Sequence, residues 1–303
     1  MTSKPSETRV FRFGEYQSRL RDSPDRIGFV NSPDGARLLK QELETALLGR
    51  GIRLLSLDVF DTVLLRRPIC ELSRFLEFAG AHAAILGEYE GQPIERVDVL
   101  AARLAAARAA HATGPRAGTT REGHYDDIVK AMTSGLGIQP NRELEGQIAE
   151  AEIALEADLF TVPNGPLIDA IPAIVDEGLK VILFSDMYLH SHNIERLMEL
   201  HGLETADLEI HTSSDRSVAK RNGSAFDWMQ NLVGLNPAEC LHIGDNPRSD
   251  FSIPIDAGWR ARLWPISDAD AKTIAQDHAA TVDRLDSMGF AIPAGWANLE
   301  VVP

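Results

Sequence analysis

The chain has 303 residues, 44% of them hydrophobic and 25% charged, and carries a formal net charge of −15 at pH 7. Such a length suits one large globular domain or two modest ones, and the acidic balance argues against partners such as nucleic acid or anionic membrane, whose binders present a basic face. No run approaches the ~18 apolar residues of a membrane span, residues 1–11 lack a signal-peptide core, and Cys70 and Cys240 stand far apart without metal-ligand spacing, so a soluble cytoplasmic protein is expected.

In chain order, residues 1–33 are mixed in character and close with the turn Ser32-Pro33-Asp34-Gly35. Leu38, Leu39, Leu43, Leu47 and Leu48 then recur at helical spacing over residues 36–48. Residues 1–50 are read as a packing extension. The apolar run Leu54-Leu55-Ser56-Leu57 reads as a buried parallel strand that stops abruptly at Asp58. A second run, Val63-Leu64-Leu65, ends at Arg66-Arg67-Pro68. From residue 67 to 162 the sequence is rich in Ala and Leu. Its spacing predicts helices over 71–80, 97–112, 125–135 and 141–155, a loop at Gly114-Pro115-Arg116-Ala117-Gly118 and no strand, as in an inserted helical module.

Strand–helix alternation resumes at residue 163. A helix over 167–176 leads to a strand over 181–184 that ends at Ser185-Asp186. A helix over 194–201 and a short strand near 209–212 follow, then a helix over 223–233 and a strand over 240–243. That strand runs into Gly244-Asp245-Asn246-Pro247-Arg248-Ser249-Asp250, and a last strand (261–264) precedes a terminal helix (268–288). The alternation predicts a doubly wound parallel α/β sheet with right-handed crossovers. It divides the chain into a core (51–66 and 163–265), a helical cap (67–162) and a C-terminal helix and tail (266–303).

Three apolar strands therefore end in polar residues: Asp58, Ser185, and Asp245 with Asp250. Parallel strands end on one sheet edge, so these residues should converge, with Lys220 on the loop between the second and third. Carboxylates, a hydroxyl and a lysine at one edge suit phosphate and Mg²⁺, which takes oxygen ligands. His242 lies within a strand and reads as a core histidine, and the nine histidines show no zinc-binding spacing.

Asp58-Val59-Phe60-Asp61-Thr62, the strand ending in Ser185, Lys220, and Gly244-Asp245 with Asp250 resemble, in order, the four motifs of the haloacid dehalogenase superfamily, which has a Rossmann-like core. Its members are mostly Mg²⁺-dependent phosphatases, and many carry a helical cap after the first motif. The resemblance implies that Asp58 is a nucleophile forming an aspartyl-phosphate. Asp58, the Phe60 carbonyl and Asp245 would bind Mg²⁺, while Ser185 and the backbone N–H of Asp186 would hold phosphoryl oxygens. Lys220 would bridge nucleophile and phosphate, Asp250 would orient Lys220 or a metal-bound water, and Thr62 would help fix the turn. The substrate class implied is a small phosphorylated metabolite, such as a sugar phosphate or nucleotide-sugar. The wording Ser185-Asp186-Met187-Tyr188-Leu189 also resembles a subgroup of predicted hydrolases associated with bacterial surface-polysaccharide synthesis.

One position departs from the pattern. The superfamily's phosphatases carry an acid/base aspartate two residues after the nucleophile, where this chain has Phe60. Asp61 reads either as a group bonding the turn or as a displaced acid/base; Glu152, Glu156, Tyr125, His190 and His192 are candidate substitutes. Arg66 and Arg67 could anchor an anionic substrate or form an ion pair at the domain junction. Asn222 could cradle an anion or start a helix. An aromatic residue at this place also occurs in the superfamily's metal-free dehalogenases, whereas Asp245 favours a metal. Dehalogenation, or weak catalysis by a phosphoryl-ligand binding module, is the alternative.

Overall fold

The computed structural model describes residues 13–47, 50–206, 208–293 and 296. Leu48 of the first predicted helix and the stretch 1–11 lie outside them. Three helices, α1 (Glu15–Asp22), α2 (Arg26–Val30) and α3 (Pro33–Leu47), precede the first strand β1 (Leu54–Leu57). The short strand β2 (Leu64–Arg66) leads into α4 (Glu71–Glu90) and α5 (Arg96–Thr113), the hairpin of β3 (Arg116–Ala117) and β4 (Thr120–Arg121), and then α6 (Tyr125–Gly135) and α7 (Arg142–Leu155). Strand β5 (Thr161–Pro163) returns the chain to α8 (Gly165–Asp176), β6 (Lys180–Ser185), α9 (Ser191–Leu200) and β7 (Glu209–Thr212). Next come α10 (Ser213–Arg216), α11 (Ser224–Val233), β8 (Cys240–Gly244), α12 (Ile253–Asp256), β9 (Arg260–Leu263) and α13 (Asp268–Ser287).

The predicted α/β class is observed: β7, β6, β1, β8 and β9 lie side by side in that order, all parallel. β1 sits in the middle with every residue buried, as its unbroken apolar run requires. Both faces are covered. On one, Ile182 and Phe184 pack with Phe226 and Met229 of α11 and with Trp259; the other faces the larger core that includes Leu38, Leu39 and Leu167. Leu57 is in register with Leu183 and with Ile243, so Asp58, Ser185 and Asp245 follow within two residues of one common line. The chain moves out from β1 to β6 and β7 on one side and to β8 and β9 on the other, and ligands of open α/β sheets bind where the strand order reverses in this way.

β2 pairs antiparallel with β5, so the two ends of the helical region leave and rejoin the sheet side by side. Two local expectations needed correction. The loop near residue 116 contains the β3–β4 hairpin, whose two-residue strands are too short to show periodicity, turned at Gly118 with φ 58°. α4 continues ten residues beyond the predicted stop at Gly80, since Phe78, Ala79, His82, Ala83 and Leu86 carry its buried face on past that glycine. The prediction also left residues before 33 unassigned, where α1 and α2 form.

Candidate active site

At the carboxyl edge of the sheet, the Asp58 N–H donates to the Ile243 carbonyl (2.8 Å), tying the end of β1 to β8. The turn that follows is tight: Val63 and Leu64 N–H both donate to the Val59 carbonyl (2.9 and 2.8 Å). Asp61 takes the left-handed conformation at φ 59°, which aspartate tolerates better than most residues. Its Oδ1 accepts the Arg66 N–H (3.2 Å) and the Arg26 Nη2 donor (2.5 Å). Of the two readings of Asp61, its bonds are those of the turn-holding group.

Lys220 is buried, and its ammonium bonds both Asp58 Oδ1 and Asp250 Oδ1, the latter at 2.7 Å. Asp186 positions the Lys220 loop by accepting the backbone N–H of Lys220 (2.8 Å) and of Arg221 (3.1 Å) on its two carboxylate oxygens. Asp250 is fixed from behind: His242 Nε2 meets its Oδ1 at 3.1 Å, and the Asn246 N–H donates to its Oδ2 (2.9 Å). His242 in turn meets Ser56 Oγ through Nδ1 (2.9 Å), as a satisfied core histidine does. Gly244 leaves room for this arrangement, since a Cβ there would come within 2.5 Å of the Asp250 carboxylate carbon.

The electrostatics divide the carboxylates. Burial works to raise Asp250, but Lys220 and His242 outweigh it and hold that carboxyl well below its ordinary range. Burial raises Asp58 against the pull of Lys220, and the charge of Asp250 adds to the rise. Lys220, which burial alone would lower, is raised by Asp250 and Asp58. Asp245 is raised by burial and by the charges of Asp61, Asp58 and Asp250, and no side-chain donor or cation among the described residues bonds it. One oxygen from each of Asp58, Asp245 and Asp250 lies within 4.8 Å of the others. Three carboxylates against one ammonium leave a surplus of negative charge in an all-oxygen donor set, which fits a hard divalent cation.

These residues floor a cavity of about 730 Å³ that Phe60, Arg66, Ser185 and Asp186 also line. The Arg66 guanidinium carbon lies 3.9 Å from the centroid of the Phe60 ring. Other expected residues lie elsewhere. The Asn222 amide, a candidate anion cradle, is used up by the Ala117 carbonyl (2.5 Å), Thr120 Oγ1 (3.0 Å) and Ser224, binding the hairpin to the sheet; Asn222 does not line the cavity. The Thr62 hydroxyl, expected to fix the turn, has no partner among the described residues; its carbonyl does that work by accepting from Asn164 Nδ2 (2.9 Å). Arg67 is exposed.

The candidate substitute acids are engaged as well. Glu152 accepts from Arg103 (2.7 Å) and Tyr125 (3.0 Å) of the helical region and from Tyr188 (3.1 Å), in the loop after β6. Glu156 takes Arg66 and Arg74 on one oxygen. His190 pairs with Asp215 at 2.6 Å and stacks on His192, away from the cavity. The structure adds lining residues that the sequence reading did not single out: Glu71, Arg74, His111, Glu122 and Arg248. All but Arg248 come from helices and hairpin whose approach to the sheet no local pattern encodes; Arg248 lies within the fourth motif itself.

Among solved structures, the chain is similar to a haloacid dehalogenase-like family hydrolase from Xanthomonas campestris (16% identity, 80% of this chain and 96% of that one, TM-score 0.42). It is also similar to the L-2-haloacid dehalogenase from Xanthobacter autotrophicus (15% identity, 81% and 86%, TM-score 0.42). A third such structure is the HAD-hydrolase YfnB from Bacillus subtilis bound to magnesium (18% identity, 69% and 86%, TM-score 0.42). No family model and no curated protein sequence matches the chain.

Proposed function

We propose that this chain is a hydrolase of the haloacid dehalogenase superfamily, a Mg²⁺-dependent phosphohydrolase working through an aspartyl-phosphate at Asp58. The observation that carries this reading is the buried series Asp58–Lys220–Asp250, with Asp245 beside it, at the carboxyl edge of one parallel sheet. Phosphoryl transfer depends mainly on positioning and on neutralising charge at the phosphoryl oxygens. Asp58 is the nucleophile. Lys220 neutralises a phosphoryl oxygen while Asp250 fixes its ammonium, and Ser185 with the Asp186 N–H receives the remaining oxygens. Mg²⁺ held by Asp58, Asp245 and the Phe60 carbonyl would supply further neutralisation. The substrate is a small phosphorylated metabolite, a sugar phosphate or nucleotide-sugar.

The test is turnover of p-nitrophenyl phosphate with Mg²⁺, using Asp58→Asn as the blank. In ¹⁸O water the label should enter the released phosphate, because water attacks phosphorus. Label appearing in the Asp58 carboxylate, together with fluoride release from fluoroacetate without metal, would support dehalogenation instead. Asp58-independent binding with no turnover of any ester or anhydride would leave a binding module.

A further inference from the structure

The lining of the same cavity narrows the substrate class, given the phosphohydrolase reading. What matters is which group could give a proton to a departing oxygen. Asp58 and Asp250 face the Lys220 ammonium, and Asp61 faces Arg26 and the Arg66 N–H. Asp186 accepts two backbone N–H groups, and Glu122 faces Arg221. In each of these the carboxylate oxygens are already committed as acceptors to cations or N–H donors. The Tyr188 hydroxyl is already bonded between Arg103 (3.1 Å) and Glu152 (3.1 Å).

Asp245, Glu71 and His111 line the cavity as well, but the group that stands directly against Phe60 is the guanidinium of Arg66. Arg66 has its backbone pinned on both sides, its N–H bonded to Asp61 and its carbonyl accepting from Arg26 (3.1 Å). Its guanidinium lies over Phe60, and only Nε is bonded among the described residues, to Glu156 at 3.4 Å. An aromatic face attracts a cation without occupying its N–H donors. Phe60 thus holds the guanidinium in place and leaves both Nη groups available in the cavity. Arg74 shares the same Glu156 oxygen at 3.3 Å, and its buried Nε has no partner among the described residues. Guanidinium does not lose its proton in proteins; it stabilises an oxyanion by donating a fork of hydrogen bonds.

We infer that the site selects substrates whose leaving group departs as a stable oxyanion, received by the Arg66 guanidinium: phosphoanhydrides and acyl phosphates, and not alkyl phosphate monoesters. A carboxylate oxygen of Asp58 forms the bond to phosphorus, the bond from phosphorus to the leaving oxygen breaks, and its electron pair departs on that oxygen as phosphate or carboxylate. No proton moves in this step. Water then bonds phosphorus, the phosphorus–Asp58 bond breaks and restores the carboxylate, and both water protons leave on the released dihydrogen phosphate.

The experiment compares kcat/KM, which reports the step expelling the leaving group, for acetyl phosphate, inorganic pyrophosphate, p-nitrophenyl phosphate and ethyl phosphate. It uses the full chain with Mg²⁺ and Asp58→Asn as the blank. Ethyl phosphate should trail the best of the others by ~10²–10⁴, the usual worth of a general acid. Arg66→Gln should lower kcat/KM for the preferred anhydride or acyl phosphate at least tenfold; if that variant does not fold, the wild-type series still decides. Preference for acetyl phosphate or for pyrophosphate identifies the oxyanion, and either supports the inference. Ethyl phosphate turned over within tenfold of the best substrate overturns it, and loss of that activity in His111→Gln or Glu71→Gln would identify the proton donor. No Asp58-dependent turnover of any of the four overturns the phosphohydrolase reading along with it.

Discussion

Asp58 and Asp250 share a single buried ammonium inside the protein. Breaking a buried ion pair by deleting one partner typically costs about 3–5 kcal/mol, because the other charge is left uncompensated. Lys220→Met should therefore lower the urea unfolding free energy by about that amount and abolish turnover. An unchanged midpoint would mean that the pair is not paired in solution. A second residue-scale expectation concerns His190 and Asp215. His190 is raised above 6.5, chiefly by its bond to Asp215, and Asp215 is lowered despite partial burial. A raised histidine contributes stability that is complete below its unfolded value and fades as pH rises through the folded one; a lowered aspartate contributes above its own unfolded value. The stability difference between wild type and Asp215→Asn should thus be largest from about pH 4 to 6.5 and shrink at alkaline pH, in melting curves taken across that range. The lone apolar-to-acid step at Asp58 was legible because burial leaves an unbroken hydrophobic run. The role of Asp61 was open until its left-handed backbone and its two donors were visible.

Among the elements, the β3–β4 hairpin reaches across to the loop that presents Lys220. Asn222 bonds its Ala117 carbonyl and Thr120 hydroxyl, and Arg221 bonds Glu122 just after it. Gly118 at the tip needs both its left-handed backbone and its missing Cβ, which would sit 3.2 Å from the Asn222 amide. Gly118→Ala should cost roughly 1–2 kcal/mol for the backbone alone. It should also lower kcat through the displaced loop while leaving α11 and the sheet folded by circular dichroism. Nothing in residues 114–122 announced this contact, because its partner lies a hundred residues away and each strand is too short for a period of two to register. The three central strands β6, β1 and β8, by contrast, were readable one by one, since burial on both faces makes them largely apolar; the edge strands β7 and β9 alternate apolar with polar residues.

At the scale of the whole molecule, residues far apart in sequence meet at one edge because parallel strands share a direction, and the order of strands and helices was sufficient to anticipate that edge. The approach of the helical region, and hence Arg74, His111 and Glu122, depended on packing that no short pattern carries. The same holds for Arg26. It is buried, and from α2 it bonds Asp61 and Asp270 of α13 (2.7 Å), joining the turn after Asp58 to helices before and after the sheet. Arg26→Ala should destabilise by about 3–5 kcal/mol in chemical denaturation, with Arg26→Lys recovering only part, since one ammonium cannot reproduce a planar fork.

That arginine also separates what can be recognised from what can stand alone. A chain trimmed to begin at β1 would keep every residue of the four motifs, yet Asp61 would face the interior without its counter-charge and the turn after Asp58 would lose its outer brace. The stretch that bears the signature is therefore smaller than the set of elements that holds its turn, with α2 and α13 acting through Arg26 as a clasp on Asp61.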